Sequence, residues 1–125
     1  MGTNQGIGAA IVETFLAEGA VVVAADIAYP NESLHKISEN LSHIRVDIGQ
    51  EDSLIALVKQ LEEYRLVPDI LVAVAGISTM GFLIESQTSD YDRVQSVNAR
   101  GVYLSCKHIV QLMVKRQKAG RVILI

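Results

Sequence analysis

Apolar positions along the chain recur with two alternating periods. Ile7, Ala10, Ile11, Thr14 and Phe15 follow helical spacing and predict an amphipathic helix over roughly Gly6–Glu18, which Gly19 stops. Ala20–Ala25 is a short apolar run rich in valine and closed by Asp26, the pattern of a strand buried on both faces. Tyr29-Pro30-Asn31 marks a loop, and Ser33–Asn40 carries a weak helical pattern. His43–Val46 predicts a second short strand, again closed by an acid, Asp47. Leu54, Ile55, Leu57, Val58 and Leu61 then share one face of a helix over about Gln50–Arg65. Pro68-Asp69 breaks that helix, Ile70–Ala75 is a third buried strand, and Gly76–Ser89 is a loop of small and polar residues. Tyr91, Val94, Val97, Gly101, Val102, Ser105, Ile109 and Leu112 form the stripe of the longest helix. Ser89 or Asp90 is its expected cap and Gly120 its expected stop. Arg121–Ile125 begins a further strand.

Strands alternating with helices imply right-handed crossovers and a parallel sheet, an α/β fold. Composition agrees: 125 residues, 50% apolar, suit one domain. Mean hydropathy is high, at +0.30. Yet the longest apolar runs, Ala20–Ala25 and Ile70–Ala75, fall far short of the ~18–20 residues of a membrane span. The surplus apolarity therefore belongs to doubly covered strands. One element is out of place, because the first helix opens on a glycine loop that no strand feeds.

Charge and cysteine content narrow the function classes. A net charge of −3 without a basic stripe argues against nucleic acid. The one cationic cluster, Lys115, Arg116, Lys118 and Arg121, fits a helix end whose dipole favours positive charge. His35, His43 and His108 lack ligand spacing, so no metal site is expected. Cys106 is single and cannot form an internal disulfide, and no basic segment precedes an apolar run at the start, so a cytoplasmic protein is the default expectation. Met1-Gly2 opens a myristoylation pattern that Gly6 does not complete.

Candidate chemistry lies in the glycine loop. Gly2-Thr3-Asn4-Gln5-Gly6-Ile7-Gly8 opens the first helix, where unpaired N–H groups can receive a pyrophosphate if no side chain blocks the backbone. Its Gly-x3-Gly-x-Gly spacing differs from G-x-G-x-x-G but shares the physical logic. Glycines there can equally serve turns and packing. Asp26 shifts the balance, since it lies 18 residues beyond Gly8 at a strand end. A carboxylate so placed accepts hydrogen bonds from the adenosine ribose and repels a 2′-phosphate, favouring NAD over NADP. Asp47 ends the next strand in the same way, as a solvated loop acid or an adenine partner.

These residues, taken in order, resemble the short-chain dehydrogenase/reductase family. Gly2–Gly8 is similar to its T-G-x-x-x-G-x-G loop, Ala20–Ile27 to its second strand with the NAD-selecting acid, and Val46-Asp47 to the pair after its third strand. Ile70–Gly76 resembles the fourth strand with its N-N-A-G motif. Ser96-Val97-Asn98-Ala99-Arg100-Gly101 resembles the helix carrying the catalytic-tetrad asparagine, and Arg121–Ile125 the fifth strand. The resemblance implies a Rossmann-type doubly wound parallel sheet, with residues 1–125 a partial NAD(P)-binding domain. It also implies cofactor contacts at Gly2, Asn4, Gln5, Gly6, Ile7, Gly8, Asp26, Asp47, Ala75 and Gly76, a catalytic role for Asn98, and no metal. An alcohol or ketone substrate and a homo-oligomer are implied for the full-length enzyme.

The chain departs from the family pattern in four places. Met1 stands where the loop's threonine belongs, and the first strand is missing. Ala73 and Val74 replace the two asparagines of N-N-A-G, and the catalytic serine and Tyr-x-x-x-Lys motif are missing. Tyr103–Lys107 has the right spacing but falls on the same predicted helix as Asn98, where a structural role is expected. The leading expectation is thus the cofactor-binding part of an NAD-dependent oxidoreductase, inactive alone. A non-catalytic nucleotide-binding or interaction protein, or a fragment without function, is the alternative. An adenosylmethionine-dependent methyltransferase shares the loop-and-acid logic but leaves Asn98 and the fifth strand unexplained.

Overall fold

The computed structural model describes residues 1–125. Helix α1 (Gly6–Ala17) is followed by strands β1 (Val22–Asp26), β2 (His35–Lys36) and β3 (Leu41–Arg45). Helix α2 (Glu51–Glu63), strand β4 (Ile70–Ala73), a 3-10 turn at Leu83–Glu85 and helix α3 (Thr88–Gln95) come next. A π-turn (Ser96–Gly101) leads directly into helix α4 (Val102–Lys115), and β5 (Arg121–Leu124) ends the order. The fold is α/β with partial parallel pairing, as expected. β1 runs parallel to β3, and β4 parallel to β5. Between β1 and β4 the sheet is divided.

Met1 and Gly2 bridge that division. The Met1 amino group donates to Val72 O at 2.7 Å, Val74 N–H donates to Met1 O at 3.0 Å, and Gly2 N–H donates to Ala25 O at 2.8 Å. These two residues join β1 to β4. Alongside them lies a groove of about 520 Å³, walled by Ile11, Phe15, Val23, Leu71 and their neighbours. This explains why α1, predicted as an amphipathic helix, buries only Gly8 and leaves Ile7 61% exposed. The core sits instead around α2 and α4, where Leu54, Leu57, Leu61, Leu104, Ile109 and Leu112 pack with Ile44 and Val46.

Several predicted elements are corrected. Ser33–Asn40 forms no helix, because His35 and Lys36 pair antiparallel with His43 and Ser42 on the open edge of β3. A backbone with weak helical preference takes the available ladder. The third buried strand stops at Ala73, although Val74 and Ile125 continue backbone bonding beyond it. The long helix starts at Thr88 after Gln87, without a side-chain cap from Ser89 or Asp90. It is also interrupted by the π-turn, so Tyr91 of the predicted stripe is 64% exposed. Gly120 is not the stop: α4 ends at Lys115, and Gln117 takes φ +52°. Glycine is required at 120 because a Cβ there would lie 2.7 Å from Met113 Sδ and 2.8 Å from Asp69 O. Gly19 does terminate α1, with φ +80° and Ala20 N–H reaching back to Phe15 O at 2.9 Å.

The basic cluster is held by ion pairs. Lys115 and Arg116 reach Glu62 Oε1 at 2.7 and 3.1 Å, and Lys118 reaches Asp69 Oδ1 at 2.9 Å. No helix is long and apolar enough to cross a membrane.

The bridging residue makes stability depend on pH. Burial pushes the Met1 amino group down from 8.0 to about 6. Between those values the unfolded chain binds more protons, so stability rises with pH there and is lost as pH falls. Burial, then His35, also lowers His43, which acts in the same direction. Where Met1 carries a free amino group, urea melts at pH 8 and pH 6 are expected to differ by about 2 kcal/mol. A flat profile across that window would contradict the buried amine.

Candidate functional site

The candidate residues meet at the C-terminal ends of β1, β3 and β4. Gly2 and Gly6 adopt positive φ, at +81° and +56°, which lets the chain turn tightly into α1. The loop then folds back on its own helix. A Cβ on Gly8 would lie 1.7 Å from Gly2 O, and one on Gly2 would lie 2.5 Å from Ala75 N. Gly2 therefore packs against both Gly8 and Ala75 more closely than a side chain at position 2 or 8 permits. Gln5 flanks the helix in extended conformation without capping it, so side chains leave the first-turn N–H groups free. Gln5, Gly6 and Ile7 are solvent-exposed along this opening.

Asp26 is fixed beside the loop. Its Oδ2 accepts Asn4 N–H at 3.0 Å and its Oδ1 accepts Ala28 N–H at 2.9 Å, which leaves lone pairs on both oxygens. Two neighbours that the sequence reading missed support this corner. Thr3 Oγ1 lies 3.2 Å from both Ala25 O and the Tyr29 hydroxyl, and the Tyr29 ring stacks on His43 at 4.1 Å. Threonine after a glycine and tyrosine before a proline carry no local signal of such a long-range contact.

Asp47 joins the group through the residue before it, because Val46 N–H donates to Asp26 O at 3.2 Å. Its own N–H donates to Ser53 Oγ at 3.0 Å, and its Oδ1 accepts Gly49 N–H at 2.9 Å. The acid is thus half-committed to its own turn.

Asn98 lies opposite, on the π-turn. Its Oδ1 accepts Ile77 N–H at 2.9 Å and its Nδ2 donates to Ile77 O at 2.8 Å, pairing with that peptide as a strand would. A Cβ on Gly76 would come within 3.6 Å of the same amide oxygen. Asn98 is exposed, not part of the buried stripe. The inserted turn rotates it away from the core and towards the loop after β4, a use for which π-bulges are common.

The Tyr103–Lys107 pair is elsewhere and differently engaged. Glu51 Oε1 accepts Lys107 Nζ at 2.7 Å and lies 2.9 Å from His108 Nε2. The hydrogen bond to Glu51 raises the Lys107 pKa, and the bonds to Lys107 and then His108 hold Glu51 below the usual carboxylate range. Lys107 is a structural cation, while Tyr103 is 63% exposed.

Residues 1–125 match the family model described as short chain dehydrogenase. A short-chain dehydrogenase/reductase of Armillaria gallica is 31% identical over 129 residues, covering 98% of this chain and 49% of the relative. Tropinone reductase-like 1 of Erythroxylum coca is 36% identical over 123 residues, covering 94% of this chain and 45% of its own. Among solved structures, the short chain dehydrogenase of Leptospira borgpetersenii with bound NAD+ superposes with a TM-score of 0.87 at 28% identity. That match covers 98% of this chain and 47% of the other. The chain spans about half the length of the curated relatives it matches. It belongs to the short-chain dehydrogenase family.

Proposed function

We propose that residues 1–125 form the dinucleotide-binding part of an NAD-dependent oxidoreductase acting on an alcohol or ketone, and that this part binds cofactor without turning substrate over. The observation that carries the reading is the tight glycine loop, in which Gly2 packs on Ala75 and Gly8 on Gly2 too closely for a Cβ, holding exposed Gln5, Gly6 and Ile7 at an uncapped helix start. Bare N–H groups at a helix N-terminus suit a pyrophosphate. Asp26, anchored by Asn4 and Ala28, keeps lone pairs for the ribose hydroxyls. Its charge disfavours a 2′-phosphate, and no basic residue occurs in the following segment, Ile27–Asn31. The NAD+ in the Leptospira enzyme supports the same cofactor class.

Asn4, Gln5, Gly6 and Ile7 would present backbone to the phosphates, Asp47 would lie at the adenine end, and Gly76 would border the nicotinamide end. Bound nicotinamide would supply hydride acceptance or donation. Asn98 spends one N–H and one lone pair on Ile77 and keeps one of each, so in this chain it positions the loop and retains capacity for a proton relay. Tyr103 and Lys107, despite their Tyr-x-x-x-Lys spacing, do not serve as the pair that would move the substrate proton, because Lys107 is held by Glu51. A cytoplasmic setting and a homo-oligomeric full-length enzyme complete the proposal.

Calorimetric titration of NAD into the chain tests it. Binding is expected, NADP is expected to bind more weakly, and Asp26→Ala is expected to weaken NAD at least tenfold. No heat at millimolar NAD would contradict the binding role. Oxidation of NADH by the chain with a panel of small ketones would contradict the absence of turnover.

A further inference from the structure

The turn that carries Asp47 has an external brace. Arg100 Nη1 donates to Gly49 O at 2.6 Å, and Arg100 Nη2 lies 3.9 Å from Glu51 Oε2. The same turn is pressed against the π-turn at two further points. A Cβ on Gly101 would lie 2.8 Å from Ile48 Cγ1, and a Cβ on Gly49 would lie 3.1 Å from Ser96 Oγ. Ser96, Arg100 and Gly101 thus face the 47–49 turn, while Asn98, between them in sequence, faces Ile77 across the strand ends. Six consecutive residues of the π-turn thus serve both loops.

From this geometry we infer that Arg100 is a positioning residue for the adenine end of the site. It holds the Gly49 carbonyl so that the Asp47 side chain stays in its turn with one oxygen turned to ligand. The bond between Asp47 Oδ1 and Gly49 N–H is the link, since the turn cannot open without releasing it. Arg100 is exposed and fills no part of the core, so its guanidinium, anchored by a carbonyl and a carboxylate, does the holding. The inference rests on the reading of Asp47 as facing the dinucleotide. It adds that a residue on the asparagine-bearing turn governs affinity at the opposite end of the cofactor.

The test uses AMP, which occupies only the adenosine half, titrated calorimetrically into the parent chain, Arg100→Met and Arg100→Lys. Arg100→Met keeps an apolar stem but loses the donors and is expected to raise the AMP Kd about tenfold. Arg100→Lys, with one donor restored, is expected to recover part of the loss. In an Asp47→Ala background, Arg100→Met is expected to add less than twofold, because it acts through Asp47. An AMP Kd within twofold of the parent in Arg100→Met, or full additivity with Asp47→Ala, would overturn the inference. Amide hydrogen exchange at Gly49 separates this failure from failure of the cofactor reading, because it needs no ligand. Exchange there is expected to quicken at least tenfold in Arg100→Met, and unchanged exchange would overturn the brace even if AMP does not bind the parent.

Discussion

Gly8→Ala is expected to abolish measurable dinucleotide binding and to lower stability by at least about 1–3 kcal/mol, the cost of overpacking a close contact. The added Cβ would meet Gly2 O at 1.7 Å, Gly2 C at 2.8 Å and Thr3 Cα at 3.0 Å. All three are backbone atoms, so no side-chain rotation relieves the clash. Gly2 cannot retreat, because its own Cβ direction is blocked by Ala75, and its N–H is bonded to Ala25 O. Moving it would break the Met1–Gly2 bridge between the two parts of the sheet. Gly6→Ala is the informative comparison: it meets nothing within 4 Å but sits at φ +56°. It is expected to cost only the strain of a left-handed alanine, about 1 kcal/mol. Paired thermal melts and NAD titrations of the two variants check this order, and equal effects would contradict it.

Leu54→Ala is expected to destabilise the chain by about 2–5 kcal/mol and to lower its melting midpoint by roughly 10–20 °C. Leu54 is fully buried on α2, within the cluster that joins α2 and α4 to β3. That cluster carries most of the buried apolar surface, because α1 and the groove beside β1 contribute little to it. Typical domains hold only about 5–15 kcal/mol in all, so a loss of this size is a large share. Leu83→Ala, at 88% exposure on the 3-10 turn, is expected to change stability by less than about 0.5 kcal/mol. Denaturant melts of both variants make the comparison. A Leu54→Ala loss as small as that of Leu83→Ala would place the core elsewhere.

How far such features can be read from a sequence depends on how local their causes are. The helical face of Leu54, Leu57 and Leu61 and the valine run before Asp26 are local patterns, and both became the elements expected of them. The order of glycine loop and strand-end acid is likewise legible, and the structure joins Asp26 to that loop through Asn4 N–H on Asp26 Oδ2. His35–Lys36 was illegible because its strand exists only through the ladder offered by His43 and Ser42. The π-turn was illegible for a related reason. Its side chains bond to Ile77 and Gly49, which lie 21 and 51 residues from their partners Asn98 and Arg100. Asn98 is accordingly exposed, with its amide bonded to the Ile77 peptide.

The central claim is that the glycine loop, Asp26 and the Gly76–Asn98 corner together hold a nicotinamide dinucleotide. Amide NMR of the 15N-labelled chain during titration with NAD tests it residue by residue, without requiring catalysis. The account predicts saturable shifts at Gly2, Asn4, Gly6, Gly8, Asp26 and Gly76, with Gly120, packed against Met113 far from the loop, unmoved. Shifts confined to other regions, or none at millimolar NAD, would contradict it.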